Sequence, residues 1–343
     1  MQPASLSTTA LKALIDQLEA KVLQGEKPAF EEAMELMRID CDDHATLSYL
    51  LQAAGRIQKQ LRGRTMEPCS LLNAKSGKCA EDCSFCAQSA FYRTKDTVEY
   101  PLMPVDIMFN TAKKAKEKGA VRFCLVTSGM DITEDDFRKV VDTSRRIVNE
   151  LEIACDVCIG FLDRGQIREL KQAGVTRVNI NLQSSEEFYP SIVTTHTWTQ
   201  RLENLRALKE EGMELCSGGI IGMGETLEDR IGLAFVLAEL KAEVVPVNIL
   251  DPRPGTKLEK QKKIHPNEIF KTVAVYRFIL PWAELKIAGG RESSLTEEEQ
   301  VQALQCGGDG IISGGYLTIG GNSFEADEKL LKKAGMKWGV RDH

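Results

Sequence analysis

Eight short apolar runs alternate with amphipathic segments along most of this chain, and that alternation constrains its fold more than any other feature. The runs are Cys69–Ala74, Val121–Thr127, Glu152–Ile159, Arg177–Leu182, Glu214–Ile221, Val244–Leu250, Glu284–Ala288 and Gly310–Gly314. Between them lie segments of helical period: Val105–Lys118, Glu134–Glu150, Arg164–Ala173, Thr199–Glu211, Leu227–Leu240, Pro266–Ile279 and Thr296–Cys306. Gly119, Gly174 and Gly212 close three of these helices ahead of the next strand, as helix C-terminal caps do. Strand–helix repetition predicts an α/β protein with a parallel sheet, and eight strands are the number that closes a (β/α)8 TIM-type barrel.

Residues 1–65 read differently. Leu11, Leu14, Ile15, Leu18 and Val22 recur at helical spacing. Further helical patterns run through Phe30, Ala33, Met34 and Met37, and around Leu47 to Leu61. The expected organisation is a helical extension over 1–65 covering one end of the main domain, a barrel over 66–320 and a helical tail over 321–343.

Composition narrows the partners. Hydrophobic residues make up 43% and charged residues 27%, the balance of a soluble protein with a full core. A net charge of −6 argues against a polyanion-binding surface, so nucleic acid is not expected. No apolar run approaches bilayer length and the N-terminus lacks the pattern of a signal peptide, so no membrane partner is expected and a cytoplasmic setting is. There are ten cysteines, which in such a chain suggest metal or redox use before a disulfide framework.

In a barrel of this kind the active site lies at the C-terminal mouth of the strands. Chemistry-bearing residues fall there. Cys79, Cys83 and Cys86 follow the first strand with the spacing C-x3-C-x2-C. Three thiolates at this spacing hold three irons of a cubic iron–sulfur cluster and leave the fourth open for chemistry. Cys124 lies in the second strand, Cys155 and Cys158 in the third, and Cys216 in the fifth. Asn179, Asn181 and Gln183 alternate along the fourth and share a face. Asn248 lies in the sixth, with Lys286 and Arg291 in or just after the seventh. A single strand cysteine is usually a small buried hydrophobe, which suits Cys306 and, taken alone, Cys69; Cys41 reads as an ordinary helical-region residue. A structural zinc site is the bland alternative for the three-cysteine motif, but zinc takes four ligands and no fourth follows at short range.

The C-x3-C-x2-C motif, with Phe85 just before its last cysteine, resembles the radical S-adenosylmethionine enzymes. The longer string NAKSGKCAEDCSFCAQSAFY resembles the biotin synthase family. The likeness runs from about residue 60 to about 335. It takes in RFC at Arg122–Cys124, NINL at Asn179–Leu182, EEFYPSIVTTHTWTQR at Glu186–Arg201 and CSGGIIGMGET at Cys216–Thr226. It continues through PVNIL and PGTKLE (Pro246–Glu259), AGGRE (Ala288–Glu292) and GGYLT (Gly314–Thr318).

The resemblance implies roles position by position. Cys79, Cys83 and Cys86 would bind a 4Fe–4S cluster whose open iron chelates S-adenosylmethionine. Phe85 would pack near the adenine, with Asn181 and Gln183 near the ribose. Asn179 and Asn248 would bind dethiobiotin, whose ureido ring matches an amide. Cys124 and Cys216, with a third-strand cysteine, would hold an auxiliary iron–sulfur cluster, 2Fe–2S in the family, that supplies sulfur. The reaction implied is cleavage of S-adenosylmethionine to a 5′-deoxyadenosyl radical, hydrogen abstraction from dethiobiotin and sulfur insertion to give biotin. A flavodoxin- or ferredoxin-type electron donor and a homodimer come with the likeness.

Three departures from the family pattern stand out. Lys286 occupies a position where an arginine usually serves as a cluster ligand, and an ammonium is not a planar fork. The third strand carries two cysteines around Asp156; strand parity puts Asp156 and Cys158 on one face and Cys155 on the other, unless a bulge brings Cys155 in. Gln183 stands where a carboxylate is common. The first two raise the alternative that Cys124, Cys155, Cys158 and Cys216 hold a cysteine-only auxiliary cluster of a larger, 4Fe type, with Lys286 and Arg122 as nearby cations. Two other functions compete: a hydrogenase-maturation or methylornithine-synthase-like radical enzyme with another small substrate, and a non-catalytic iron–sulfur or zinc scaffold. Cys124, Cys216, Asn179 and Asn248 favour biotin synthase over the first, and the missing fourth ligand disfavours the second.

Overall fold

The computed structural model describes residues 6–92, 94, 97–314 and 321–341; Gly315–Thr318 of the GGYLT motif lie outside them. Each expected strand is present, with one split in two. The strands are β1 (Thr65–Met66), β2 (Cys69–Lys75), β3 (Arg122–Thr127), β4 (Ala154–Cys158), β5 (Val175–Asn179) and β6 (Glu214–Cys216). They continue as β7 (Gly219–Ile221), β8 (Val244–Ile249), β9 (Glu284–Ile287), β10 (Gly310–Ile311) and β11 (Lys337–Trp338). The main sheet runs β2-β3-β4-β5-β6-β8-β9-β10, all parallel, with β7 also on β8. A parallel bridge between Cys69 and Ile312, and a hydrogen bond from Ser313 N to Cys69 O (3.0 Å), join its two ends.

The run expected over Glu214–Ile221 breaks at Ser217–Gly218 because the backbone there is crowded by its neighbours. A Cβ on Gly218 would lie 2.0 Å from Pro246 O, and one on Gly219 would lie 2.6 Å from Gln183 O. Only glycine allows this approach, and the chain steps from one strand partner to the next across it.

The outer layer follows from helix signals in the sequence. It comprises α4 (Val105–Glu117), α5 (Glu134–Leu151), α6 (Arg164–Gln172), α7 (Trp198–Glu210), α8 (Leu227–Glu239), α9 (Pro266–Ile279), the short α10 (Arg291–Ser294) and α11 (Glu297–Gln305), after α1 (Thr8–Leu23), α2 (Phe30–Met37) and α3 (His44–Arg62). Capping boxes at Asp163, Thr197, Thr226 and Thr296 satisfy first-turn amides of four of them. Gly119, Gly174 and Gly212 hold φ of 101°, 91° and 74°, the left-handed conformation that ends a helix without a Cβ penalty.

Alternation along the strands divides the residues cleanly. Phe123, Leu125, Cys155, Val157, Val178, Leu215, Val245 and Leu285 are fully buried under the helices, the hydrocarbon side chains among them contributing roughly 1.5–3 kcal/mol each by burial. Their neighbours Arg122, Cys124, Asp156, Cys158, Arg177, Asn179, Cys216 and Lys286 face the barrel interior. The N-terminal helices pack against α8, α9 and α11 of the outer layer. The C-terminal segment, with α12 (Phe324–Lys333), returns to them: β11 pairs with β1, and Arg341 donates to Thr65 O (2.8 Å).

Candidate active site

The three-cysteine loop leaves the C-terminal end of β2. Gly77 and Lys78, with φ of 75° and 51°, turn the chain sharply. Cys79 N donates to Gln88 O (3.1 Å) and Ala90 N to Cys79 O (2.8 Å), closing the loop around its cysteines. Distant residues hold it in place. Ser84 N donates to Ile192 O (2.8 Å), Thr194 N to Asp82 Oδ1 (2.8 Å), and His196 Nδ1 to Glu81 Oε2 (2.5 Å). Arg201, which is buried, donates to Tyr189 Oη (2.6 Å), Asn181 O (2.9 Å) and His196 Nε2 (2.8 Å). His196 is therefore the neutral tautomer with its proton on Nδ1. Burial first, and then the Arg201 charge, push its pKa down.

The three thiols feel one another. Burial raises all three pKa values, that of Cys83 to about 12, with the other loop thiols adding to it and Arg201 opposing it. Such thiols bind metal by exchanging a proton for it. Among the described residues, no three Cys, His, Asp or Glu side chains converge on a point that one ion would occupy. Ligands of separate irons in one cluster stand apart in this way, and the donor set fits a three-cysteine cluster with an open iron. Phe85 is partly buried against the core beside them.

Beneath the loop, a cavity of about 640 Å³ occupies the barrel. Its wall brings together Cys124, Cys158, Cys216, Asn179, Asn181, Asn248 and Lys286, all anticipated from sequence, with Asp156, which parity had put on the face of Cys158, and Cys69, Arg177, Asp251 and Arg253, which were not anticipated. Asn179 links two of the thiols: its Nδ2 donates to Cys216 Sγ (3.1 Å), and Cys158 Sγ donates to its Oδ1 (3.6 Å). Asn248 donates to Gly219 O (3.0 Å) and accepts from Gly289 N (2.9 Å). Each amide keeps one N–H and one lone pair for a ligand. Asn181 Oδ1 accepts from Gly218 N (3.0 Å), leaving its NH2 group toward the cavity. Gln183 has φ of 73° and does not line the cavity; its buried Oε1 has no hydrogen-bond partner among the described residues and can accept one.

Cys155 is elsewhere. Its side chain is fully buried beneath α5 beside Ser144, outside the cavity. The register does shift between Cys155 and Asp156, but the extra residue is Thr176 on β5, so Cys155 keeps its outward face. Its inclusion among the inward ligands is corrected accordingly. Arg122 lies below the cavity wall and donates to Asp156 Oδ1 (2.5 Å). Arg291 points away to Asp327 (3.0 Å) and ties α12 to the barrel. Cys306 donates to backbone carbonyls of Phe270 and Ala303, and Cys41 to Glu268.

Charges in the cavity are paired. Lys286 Nζ is 3.3 Å from Glu284 Oε1. Burial works against the ammonium, but Cys69, Glu284 and Cys216 outweigh it and hold it protonated. Burial raises the thiols of Cys124, Cys158 and Cys216, the last two to about 11 and about 12. Sequence reasoning missed Asp156 and Arg177 as a buried pair, though both occupy inward parity positions on adjacent strands.

A parallel barrel carrying a three-cysteine loop at its mouth defines a radical S-adenosylmethionine enzyme, and residues 74–237 match the Radical SAM superfamily. Residues 246–337 match the Biotin and Thiamin Synthesis associated domain. The biotin synthase of Clostridium tetani is 41% identical over 95% of this chain and 99% of its own. That of Carboxydothermus hydrogenoformans is 40% identical over 93% of this chain and 98% of its own. The chain belongs to the biotin synthase family. Among solved structures, methylornithine synthase superposes with a TM-score of 0.83 at 18% identity, covering 94% of this chain and 97% of its own. The FeFe-hydrogenase maturase HydG from Carboxydothermus hydrogenoformans gives 0.81 at 19% identity, covering 98% and 86%. These two share the fold. No helix among the described residues is long and apolar enough to cross a membrane.

Proposed function

We propose that this chain converts dethiobiotin to biotin, with S-adenosylmethionine bound between the Cys79–Cys86 loop and the cavity. One observation carries the reading: thiols and asparagine amides from different strands line a single cavity, and the three-cysteine loop follows the C-terminal end of β2, one of the strands that wall it. The two clusters, when bound, supply the electron that cleaves S-adenosylmethionine and the sulfur that is inserted. Cys79, Cys83 and Cys86 hold the first; Cys124, Cys158 and Cys216 contribute to the second.

The chain's other groups position the reactants. Asn181 and Gln183 take the ribose and Phe85 the adenine. Asn179 and Asn248 present amide donors and acceptors to the ureido ring. Buried walls exclude water and hold the reacting carbon close, which converts much of the barrier into positioning already accomplished on binding. Lys286 stays a protonated cation and compensates thiolate charge. The division into 1–65, 66–320 and 321–343 goes with this reading, supported by the β1–β11 pair that ties the two flanking segments together. A flavodoxin- or ferredoxin-type electron donor, a homodimer and a cytoplasmic location complete it.

The test is anaerobic incubation of reconstituted protein with S-adenosylmethionine, a low-potential reductant and dethiobiotin, with mass spectrometry of the products. Biotin and 5′-deoxyadenosine are expected together. Formation of 5′-deoxyadenosine with another small substrate but never with dethiobiotin overturns the assignment.

A further inference from the structure

Cys69 is the thiol that sequence reasoning leaves as a small buried residue. It opens β2, where the barrel closes on itself: it pairs with Arg122 on one side and bridges to Ile312 on the other. Strand parity alone gives it no inward direction, because the neighbour that closes the ring is more than two hundred residues away. The structure turns it into the cavity.

The remaining cysteines sort themselves by location. Cys79, Cys83 and Cys86 belong to the loop. Cys41, Cys155 and Cys306 face Glu268, α5 and the Phe270–Ala303 carbonyls. The other four, Cys69, Cys124, Cys158 and Cys216, come from four different strands and all line one cavity. Cys124 lies within electrostatic reach of the other three. Cys69 is buried, and among the described residues the one hydrogen bond its thiol makes is a long one, 4.0 Å, to Ser70 O. Lys286 lies beside both Cys69 and Cys216, engaged with Glu284 at 3.3 Å. Held in that ion pair, the Lys286 ammonium is directed to a carboxylate and offers iron no lone pair.

We propose that Cys69, Cys124, Cys158 and Cys216 form a four-thiolate site for the auxiliary iron–sulfur cluster, with Cys69 as its fourth protein ligand and Lys286 as an adjacent, non-ligating cation. Four cysteines suffice for either a two-iron or a four-iron cluster. Arg177 and Lys286, each beside a carboxylate, line the same cavity, and Arg122 lies below it on Asp156. The inference rests on the sulfur-inserting reading above, since it assigns a ligand to the cluster that reading requires.

The test uses full-length protein reconstituted anaerobically with 57Fe and sulfide. Iron, acid-labile sulfide and Mössbauer spectra are compared for wild type, Cys69→Ser, Cys69→Ala, Cys155→Ala and Cys306→Ala, with far-UV circular dichroism as the check on folding. In both Cys69 variants, iron per chain is expected to fall by roughly a third to a half, as a two- or four-iron cluster is lost beside an intact three-cysteine one. Cys155→Ala and Cys306→Ala are expected to keep the wild-type spectrum. Wild-type iron and an unchanged spectrum in both Cys69 variants overturn the ligand assignment alone, as does loss in Cys155→Ala with retention in Cys69→Ser. Wild-type protein that takes up only the first cluster, or that binds zinc in the cavity, overturns the sulfur-inserting reading itself.

Discussion

Replacing Arg201 by methionine should loosen the three-cysteine loop without touching a cysteine. The guanidinium is buried and joins three nitrogen or oxygen acceptors, Tyr189 Oη at 2.6 Å, Asn181 O at 2.9 Å and His196 Nε2 at 2.8 Å, with Met130 Sδ further out at 3.8 Å. His196 in turn holds Glu81, inside the loop. A hydrogen bond from a charged donor is worth about 1.5–3 kcal/mol, and a buried partner left unpaired costs a similar amount. Methionine fills much of the volume and removes the cost of burying the charge, which offsets part of the loss. The net destabilisation is about 3 kcal/mol, and for a chain of this size each kcal/mol moves Tm by ~2 °C, so a fall of ~6 °C is expected. Arg201 also favours the thiolates of Cys79, Cys83, Cys86 and Cys158 electrostatically. Arg201→Met should therefore lose the loop's cluster faster to a chelator at neutral pH, and Arg201→Lys should recover part of that resistance by restoring charge without the fork. Differential scanning calorimetry and chelator-driven bleaching of the cluster chromophore, both anaerobic, read the two effects. An Arg201→Met protein with unchanged Tm and unchanged bleaching refutes the reasoning.

Other consequences follow from the same geometry. Gln183→Leu removes an acceptor with no partner among the described residues and should weaken S-adenosylmethionine binding about 2- to 10-fold, the worth of one hydrogen bond, measured by calorimetry; an unchanged Kd removes Gln183 from the ribose contacts. Cys216→Ala should still yield 5′-deoxyadenosine but no biotin, and a normal biotin yield would strike it from the ligand set. His196 has its folded pKa below the unfolded value of 6.5, so the folded state binds fewer protons there and stability is lost as pH falls below about 6.5; His196→Gln, scanned by urea titration from pH 7.5 to about 5, should flatten that part of the profile, and an unaltered slope counts against the neutral tautomer.

Methylornithine synthase shares this fold at 18% identity, so the features that discriminate function lie inside the barrel. Cys155 and Cys158 illustrate what was legible beforehand. Their spacing of three put them on opposite faces, and the structure keeps them there despite a shifted register, because the extra residue sits on the neighbouring strand. Asp156 and Arg177 were legible in principle from the same parity, but a buried ion pair between strands leaves no local sequence mark. Arg291 shows the opposite error: a charged residue just after a strand faces α12 and the C-terminal segment, not the mouth.

Sequence alone determined what short-range physics controls. Period-two and period-3.6 patterns mark the strands and helices, glycines and capping residues mark their ends, and the C-x3-C-x2-C spacing confines three thiols to one loop. Only the closed barrel decided which of the dispersed thiols share one cavity. Cys69 faces Lys286 and Cys216 because β10 returns to β2 across the seam, and Cys155 is excluded because α5 covers its side of β4. Those contacts join residues from opposite ends of the barrel, and their geometry is set by ring closure and strand stagger, which no local window of sequence encodes.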